Sequence, residues 1–95
     1  MSLNQSVLIC DQVSSTLKEI LEKNGLKVIY EPEITPEQLV AKIGNFQVVV
    51  VRSRTKMTRE LVEKADKCQI IARVGVGLDN IDQDAAKEKN IRVIN

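Results

Sequence analysis

Short apolar runs alternate with amphipathic stretches along the chain. Ser6-Val7-Leu8-Ile9-Cys10 is continuous rather than alternating, which predicts a first strand covered on both faces. Ser14 or Ser15 then caps a helix carrying Leu17, Ile20 and Leu21 on one side, with Lys23 in its last turn and Asn24-Gly25 as a left-handed stop. Leu26–Tyr30 is a second, less apolar strand. Thr35-Pro36-Glu37 joins a cap, a first-turn proline and an acid near the positive helix end; Leu39, Val40 and Ile43 form the inner face and Gly44 the stop. Val48–Val51, β-branched throughout, predicts a central strand buried on both faces. Thr58 caps a third helix with Glu60 near its start and Leu61, Val62 and Ala65 inward. Ile70–Val74 is a fourth strand, Asp82 caps a helix over Gln83–Lys89 carrying Ala85 and Ala86, and Ile91–Ile94 is a fifth strand.

Strands and helices alternating in this way, joined by right-handed crossovers, predict an α/β fold. The class is flavodoxin-like (Rossmann-like): a doubly wound parallel five-stranded sheet in the order 2-1-3-4-5, lacking its final covering helix. Ligands gather at the carboxyl ends of such strands, beside the switch between strands 1 and 3. A doubly wound domain ordinarily covers its last strand with a helix, so the expectation is a piece of a larger protein. No internal repeat or low-complexity segment interrupts it.

The 95 residues include 14 Lys+Arg, 13 Asp+Glu and no His, for a formal charge of +1. One domain with a modest core fits that length. The near-zero charge argues against a nucleic-acid partner bound through its phosphates. No apolar run approaches the ~20 residues of a membrane span, and Met1–Gln5 has no basic-then-apolar leader pattern. Without His the chain holds no Ser-His-Asp triad, Cys-His pair or His-ligated zinc. Cys10 and Cys68 form no CxxC motif, fit a reducing compartment and are expected in or beside strands; spacing leaves a disulfide between them open. Tyr30 and Phe46, the only aromatics, are expected to pack rather than to stack on bases.

Two strand ends carry candidate chemistry. Arg52-Ser53-Arg54-Thr55-Lys56, after the central strand, puts three cations and two hydroxyls at the ligand edge, either as an anion site or as a solvated charged turn. Arg73-Val74-Gly75-Val76-Gly77, after strand four, lets backbone N–H groups approach an anion, or is simply a tight turn. It is not a dinucleotide fingerprint, because Asn80 stands in the place of the third glycine and the motif does not follow the first strand. Asp11 would need a second acid beside it and another ending strand three to form a receiver-like metal or phospho-acceptor site; Arg52 stands in the latter place.

Val50–Thr58 followed by Ile71–Asp82 resembles the start of the D-isomer-specific 2-hydroxyacid dehydrogenases, and Val7–Asp11 and Ile91–Asn95 fit as well. The resemblance covers essentially the whole chain and is nearest to the family's phosphoglycerate branch. It implies a parent of two Rossmann-like domains. Residues 1–95 are then the N-terminal part of the substrate-binding (lid) domain, with the NAD-binding domain absent from this chain. The family's catalytic histidine, its acidic partner and the carboxylate-binding arginine are implied to lie beyond it, so no catalytic residue and no metal ligand is expected here.

By position, the resemblance implies that Arg52 and Ser53 face the substrate, with Arg52 toward its phosphate or carboxylate end. Arg73 supplies a second cation at the cleft. The Val76 and Gly77 amides hold the substrate carboxylate, and Val76, often threonine in relatives, also approaches the nicotinamide of NAD. The implied parent is a cytoplasmic oxidoreductase taking 3-phosphoglycerate to 3-phosphohydroxypyruvate for L-serine biosynthesis, with this piece inactive alone. Alternatives are another family member, such as a glyoxylate or hydroxypyruvate reductase, and a non-enzymatic flavodoxin-like binding module. Arg54 and Lys56 lean toward a phosphorylated substrate. Expected partners are the anionic substrate, the rest of the parent chain, and a second copy through dimerisation or exchange at apolar surface left by the missing helix.

Overall fold

The computed structural model describes residues 5–95, so all but Gln5 of the Met1–Gln5 leader reading lies outside it. Five strands, β1 (Ser6–Ile9), β2 (Lys27–Tyr30), β3 (Val48–Val51), β4 (Ile70–Arg73) and β5 (Arg92–Ile94), form one parallel sheet in the order β2-β1-β3-β4-β5. Between them run α1 (Ser15–Lys23), α2 (Pro36–Lys42), α3 (Arg59–Lys64) and α4 (Gln83–Glu88). The expected fold class and strand order are those observed.

Each helix starts where a side-chain oxygen accepts an otherwise unpaired N–H group. Ser14 accepts from Leu17, Thr35 from Gln38, Thr58 from Leu61 and Asp82 from Ala85. At Thr35 the bond is reciprocal, since the Gln38 side chain accepts from the Thr35 amide at 3.0 Å. The end of α1 is a Schellman turn: Leu26 N–H reaches Leu21 O and Gly25 N–H reaches Glu22 O, with Gly25 at φ +83°. The end of α4 repeats those bonds with Asn90 at φ +60° in the glycine's place. Gly44 does not end α2; that helix stops at Lys42, and Gly44 sits in a short 3-10 turn, Ile43–Asn45.

The strand pleat divides the core in two. Leu8, Cys10, Val49, Val51 and Ile71 face α2, α3 and α4, and meet Leu39, Leu61, Val62, Ala85 and Ala86 in the larger cluster. Burying each large side chain of that kind contributes about 1.5–3 kcal/mol. Val7, Ile9 and Val50 face the other way and pack with Leu17 and Leu21 of α1. Among the described residues α1 is the one helix on that second face. Over β4 and β5 the face carries half-buried Ala72 beside Ile94, which is 43% exposed.

Two packing expectations need correction. Ile20 is 51% exposed, because α1 turns Leu17 and Leu21, not Ile20, onto the sheet. Phe46 is buried in the larger cluster, but Tyr30 ends edge strand β2 and is 37% exposed. Cys10 and Cys68 are both buried free thiols beside strands, so no disulfide joins them.

Candidate functional site

Parallel pairing of β1, β3 and β4 brings their carboxyl ends together, and the site is built there. Asp11 follows β1 with its side chain 3% exposed. A carboxylate so placed requires partners, and every one it has is a donor. Its Oδ2 accepts from the Arg52 amide at 2.6 Å and the Thr55 amide at 3.2 Å. Its Oδ1 accepts from the Thr55 hydroxyl at 2.6 Å and lies 3.0 Å from Arg54 Nε. Hydrogen bonds to a charged group stabilise by about 1.5–3 kcal/mol each. Asp11 is therefore a structural anchor and not a metal or phospho-acceptor acid.

The loop held by Asp11 has a second anchor. Asn80 Nδ2 donates to Arg52 O at 2.5 Å and to Thr55 O at 2.8 Å. Just beyond, Met57 and Ile81 form an isolated parallel bridge, with Met57 N–H on Asn80 O and Asp82 N–H on Met57 O. The β3 and β4 loops are thus one connected platform.

Arg73 ends β4 opposite Val51, and Val74 N–H continues the ladder to Val51 O at 2.9 Å. This sets Arg52-Ser53 beside the glycine turn. Gly75 adopts φ +146°, a conformation L side chains rarely take. A Cβ placed there would stand 2.7 Å from Arg73 Nη1, so the guanidinium folds directly over the turn. Arg73 Nη1 also comes within 3.9 Å of the corresponding point at Gly77, while Asp79 Oδ1 lies 3.1 Å from it. Arg73 Nε is buried without a partner among the described residues. Val76, at the tip, is 94% exposed.

The five substrate-contact candidates, Arg52, Ser53, Arg73, Val76 and Gly77, therefore lie on two adjacent loops. The additional cations do not join them as free ligands. Arg54 gives Nη2 to Cys10 O at 2.6 Å and Nη1 to Ile34 O at 3.2 Å, besides its pairing with Asp11. Lys56 Nζ donates to Ser53 O at 3.0 Å. Both line a cleft of about 230 Å³ with Ile34, Leu39, Val40 and Leu61, which none of the five candidates lines. Arg52 keeps a lighter tie, Nη1 to Gln12 O at 3.1 Å. The anchors Asp11 and Asn80 were not picked out as site residues from the sequence.

An open parallel α/β sheet in the order β2-β1-β3-β4-β5, with two arginines and a glycine turn at its strand ends, is a domain of the doubly wound class. The chain belongs to the D-isomer specific 2-hydroxyacid dehydrogenase family, whose catalytic-domain model matches residues 7–95. It is 46% identical over 89 residues to D-3-phosphoglycerate dehydrogenase of Methanocaldococcus jannaschii, covering 94% of this chain and 17% of that protein. It is 43% identical over 76 residues to hydroxypyruvate reductase of Thermotoga maritima, covering 80% of this chain and 24% of that one. The crystal structure of NAD+-bound 3-phosphoglycerate dehydrogenase from Entamoeba histolytica superposes with a TM-score of 0.84 at 30% identity, over 95% of this chain and 32% of that chain. The chain thus spans about a sixth to a quarter of the curated relatives' length.

Proposed function

We propose that residues 1–95 are the N-terminal part of the substrate-binding domain of an NAD-dependent dehydrogenase that oxidises 3-phosphoglycerate to 3-phosphohydroxypyruvate, as in L-serine biosynthesis in the cytoplasm. The observation that carries this reading is the pair of adjacent loops, with Arg52 and Ser53 on one and Arg73 folded over the Gly75–Gly77 turn on the other. Guanidinium forks match carboxylate and phosphate geometry. The amides of Gly75, Val76 and Gly77 make no backbone hydrogen bond among the described residues and are free to donate to an anion. Arg73 and the Val76 and Gly77 amides take the substrate carboxylate, while Arg52 and Ser53 take the phosphate end.

Bound NAD would supply the acceptor for the hydride leaving C2 of the hydroxy acid. This chain's residues fit only the nicotinamide end, where exposed Val76 offers an apolar surface; the chain has no GxGxxG motif for the rest of the cofactor. Its own work is to orient the substrate, compensate its charge and help exclude water as two domains close. With no His in the chain, the hydroxyl proton passes to a base supplied by the remainder of the parent. That remainder also covers the open face at Ala72 and Ile94.

Hydroxypyruvate reduction is the second reading, favoured by the Thermotoga relative. It uses the same carboxylate contacts and leaves Arg52 without a phosphate. Amide NMR of the labelled chain, titrated with 3-phosphoglycerate and with lactate as control, tests the choice. The expected shifts at Val76 and Gly77 accompany either acid, whereas those at Arg52 and Ser53 appear with 3-phosphoglycerate only. Equal shifts with lactate favour the second reading, and shifts confined elsewhere overturn the site. Turnover of either acid with NAD by the isolated chain would overturn its assignment as an inactive part.

A further inference from the structure

We propose that Asp11 and Asn80 are positioning residues that jointly set the shape of the substrate loop; the proposal rests on the reading of Arg52 and Ser53 as substrate contacts. The two side chains hold the same two residues, one through their N–H groups and the other through their C=O groups. Asp11 accepts the N–H groups of Arg52 and Thr55, and Asn80 donates to their C=O groups. Residue 11 thus occupies an acceptor-only point, facing two amides, a hydroxyl and Arg54 Nε. The Asn80 Nδ2 position is a donor-only point between two carbonyls.

The consequence is specific to these chemical types. Asp11→Asn keeps the shape but turns an NH2 group toward donors. Asn80→Asp keeps the shape but sets an oxygen against two carbonyls. Both anchors are buried, so water cannot readily replace either set of bonds. Arg52 is itself clamped and Ser53 lies between the two clamped residues, so the direction of both follows from the clamp. The clamp also spans three strands, since Asp11 follows β1, the loop follows β3 and Asn80 follows β4. Substrate contacts on the β3 loop are thereby fixed relative to the glycine turn on the β4 loop.

The test uses the full-length protein that contains this chain, assayed with 3-phosphoglycerate and NAD. Asp11→Asn and Asn80→Asp are compared with Arg52→Ala and with Val62→Ala, a core truncation that lowers stability away from the loop. The expected result for both clamp variants is a rise of about tenfold or more in KM for 3-phosphoglycerate, the effect of a displaced binding group, with KM for NAD essentially unchanged. Val62→Ala lowers Tm but leaves both KM values in place. If the clamp variants lose Tm without moving the substrate KM beyond the Val62→Ala control, the proposal is wrong. Should either variant not fold, Thr55→Val decides, because it removes the hydroxyl, with its bond to Asp11 and its 3.4 Å contact to Cys10 O, and leaves the amide bond to Asp11 in place: a raised substrate KM at near-normal Tm supports the clamp, and an unchanged KM overturns it. An unchanged KM in Arg52→Ala defeats the site reading and the clamp together, whereas a raised KM in Arg52→Ala alone defeats only the clamp.

Discussion

Gly75→Ala is expected to be destabilising for two separable reasons, and the structure shows how to separate them. The first is backbone strain: a non-glycine residue held at φ +146° carries a penalty of about 1–3 kcal/mol. The second is contact. The new Cβ would stand 2.7 Å from Arg73 Nη1 and 3.4 Å from Cζ, inside the ~3.5–4.0 Å optimum for heavy atoms. The obstructing atoms end a flexible side chain, so Arg73 is pushed aside at about 0.5–1.5 kcal/mol of rotamer cost. Gly25 supplies the comparison, with φ +83° and no atom within 4 Å of its Cβ position. Gly25→Ala therefore reports strain alone, about 1–2 kcal/mol. Urea unfolding of Gly75→Ala, Arg73→Ala and the double variant should return a coupling of about 0.5–1.5 kcal/mol. Gly25→Ala combined with Arg73→Ala should be additive. Additivity to within about 0.3 kcal/mol in the Gly75–Arg73 cycle would refute the view that the turn is shaped around the guanidinium.

Burial, reinforced at Cys10 by the charge of Asp11, pushes the thiols up to about 12 at Cys10 and about 11 at Cys68, from 9.0 for a free thiol. The folded state holds these protons more tightly, so their contribution is complete below about pH 9 and lost as pH rises through the folded values. The urea midpoint should fall above about pH 9 less steeply in a Cys10→Ala, Cys68→Ala double variant than in the parent; identical slopes would count against it. Both thiols should also resist alkylation at neutral pH until the protein unfolds. Val76→Thr is expected to leave stability within about 0.5 kcal/mol, because the side chain is 94% exposed. On the proposed function, its effect appears instead as a change in kcat or KM of the full-length protein, and a large Tm loss with unchanged kinetics would remove Val76 from the site.

Much of the fold was legible because its signals are local. Four cap residues, the Asn24-Gly25 stop and the Val48–Val51 run each act within a few positions of themselves. Asn90 shows the limit: Asn tolerates positive φ less freely than Gly, and its role as the α4 stop emerges only from the bonds around it. Ile20 shows another, since a helical stripe does not say how far the opposing sheet face extends. The clamp was scarcely legible. Asp11 meets residues 52–55 only because β1 and β3 are neighbours, a pairing more than forty residues long in sequence. One signal was available: a single acid directly after a buried strand must find donors, and the nearest donors in this topology are those of the central strand's loop.

The cations at the strand ends show why counting charge is a poor guide to ligand capacity. Three stand in sequence at positions 52, 54 and 56, with a fourth at Arg73. Arg54 commits three donor positions to Asp11, Cys10 O and Ile34 O, so its charge serves the anchor. Lys56 closes its own loop on Ser53 O. Arg52 has one exposed bond to Gln12 O, and Arg73 Nε has none among the described residues. A phosphorylated hydroxy acid presents two anionic ends, and two arginines remain to meet them. On the proposed function, preference for such a substrate rests on Arg52 and Arg73, and not, as the linear sequence suggests, on Arg54 and Lys56. Arg54 contributes indirectly: by neutralising buried Asp11 it lets a carboxylate anchor the loop without opposing the anion that the proposed function places above it.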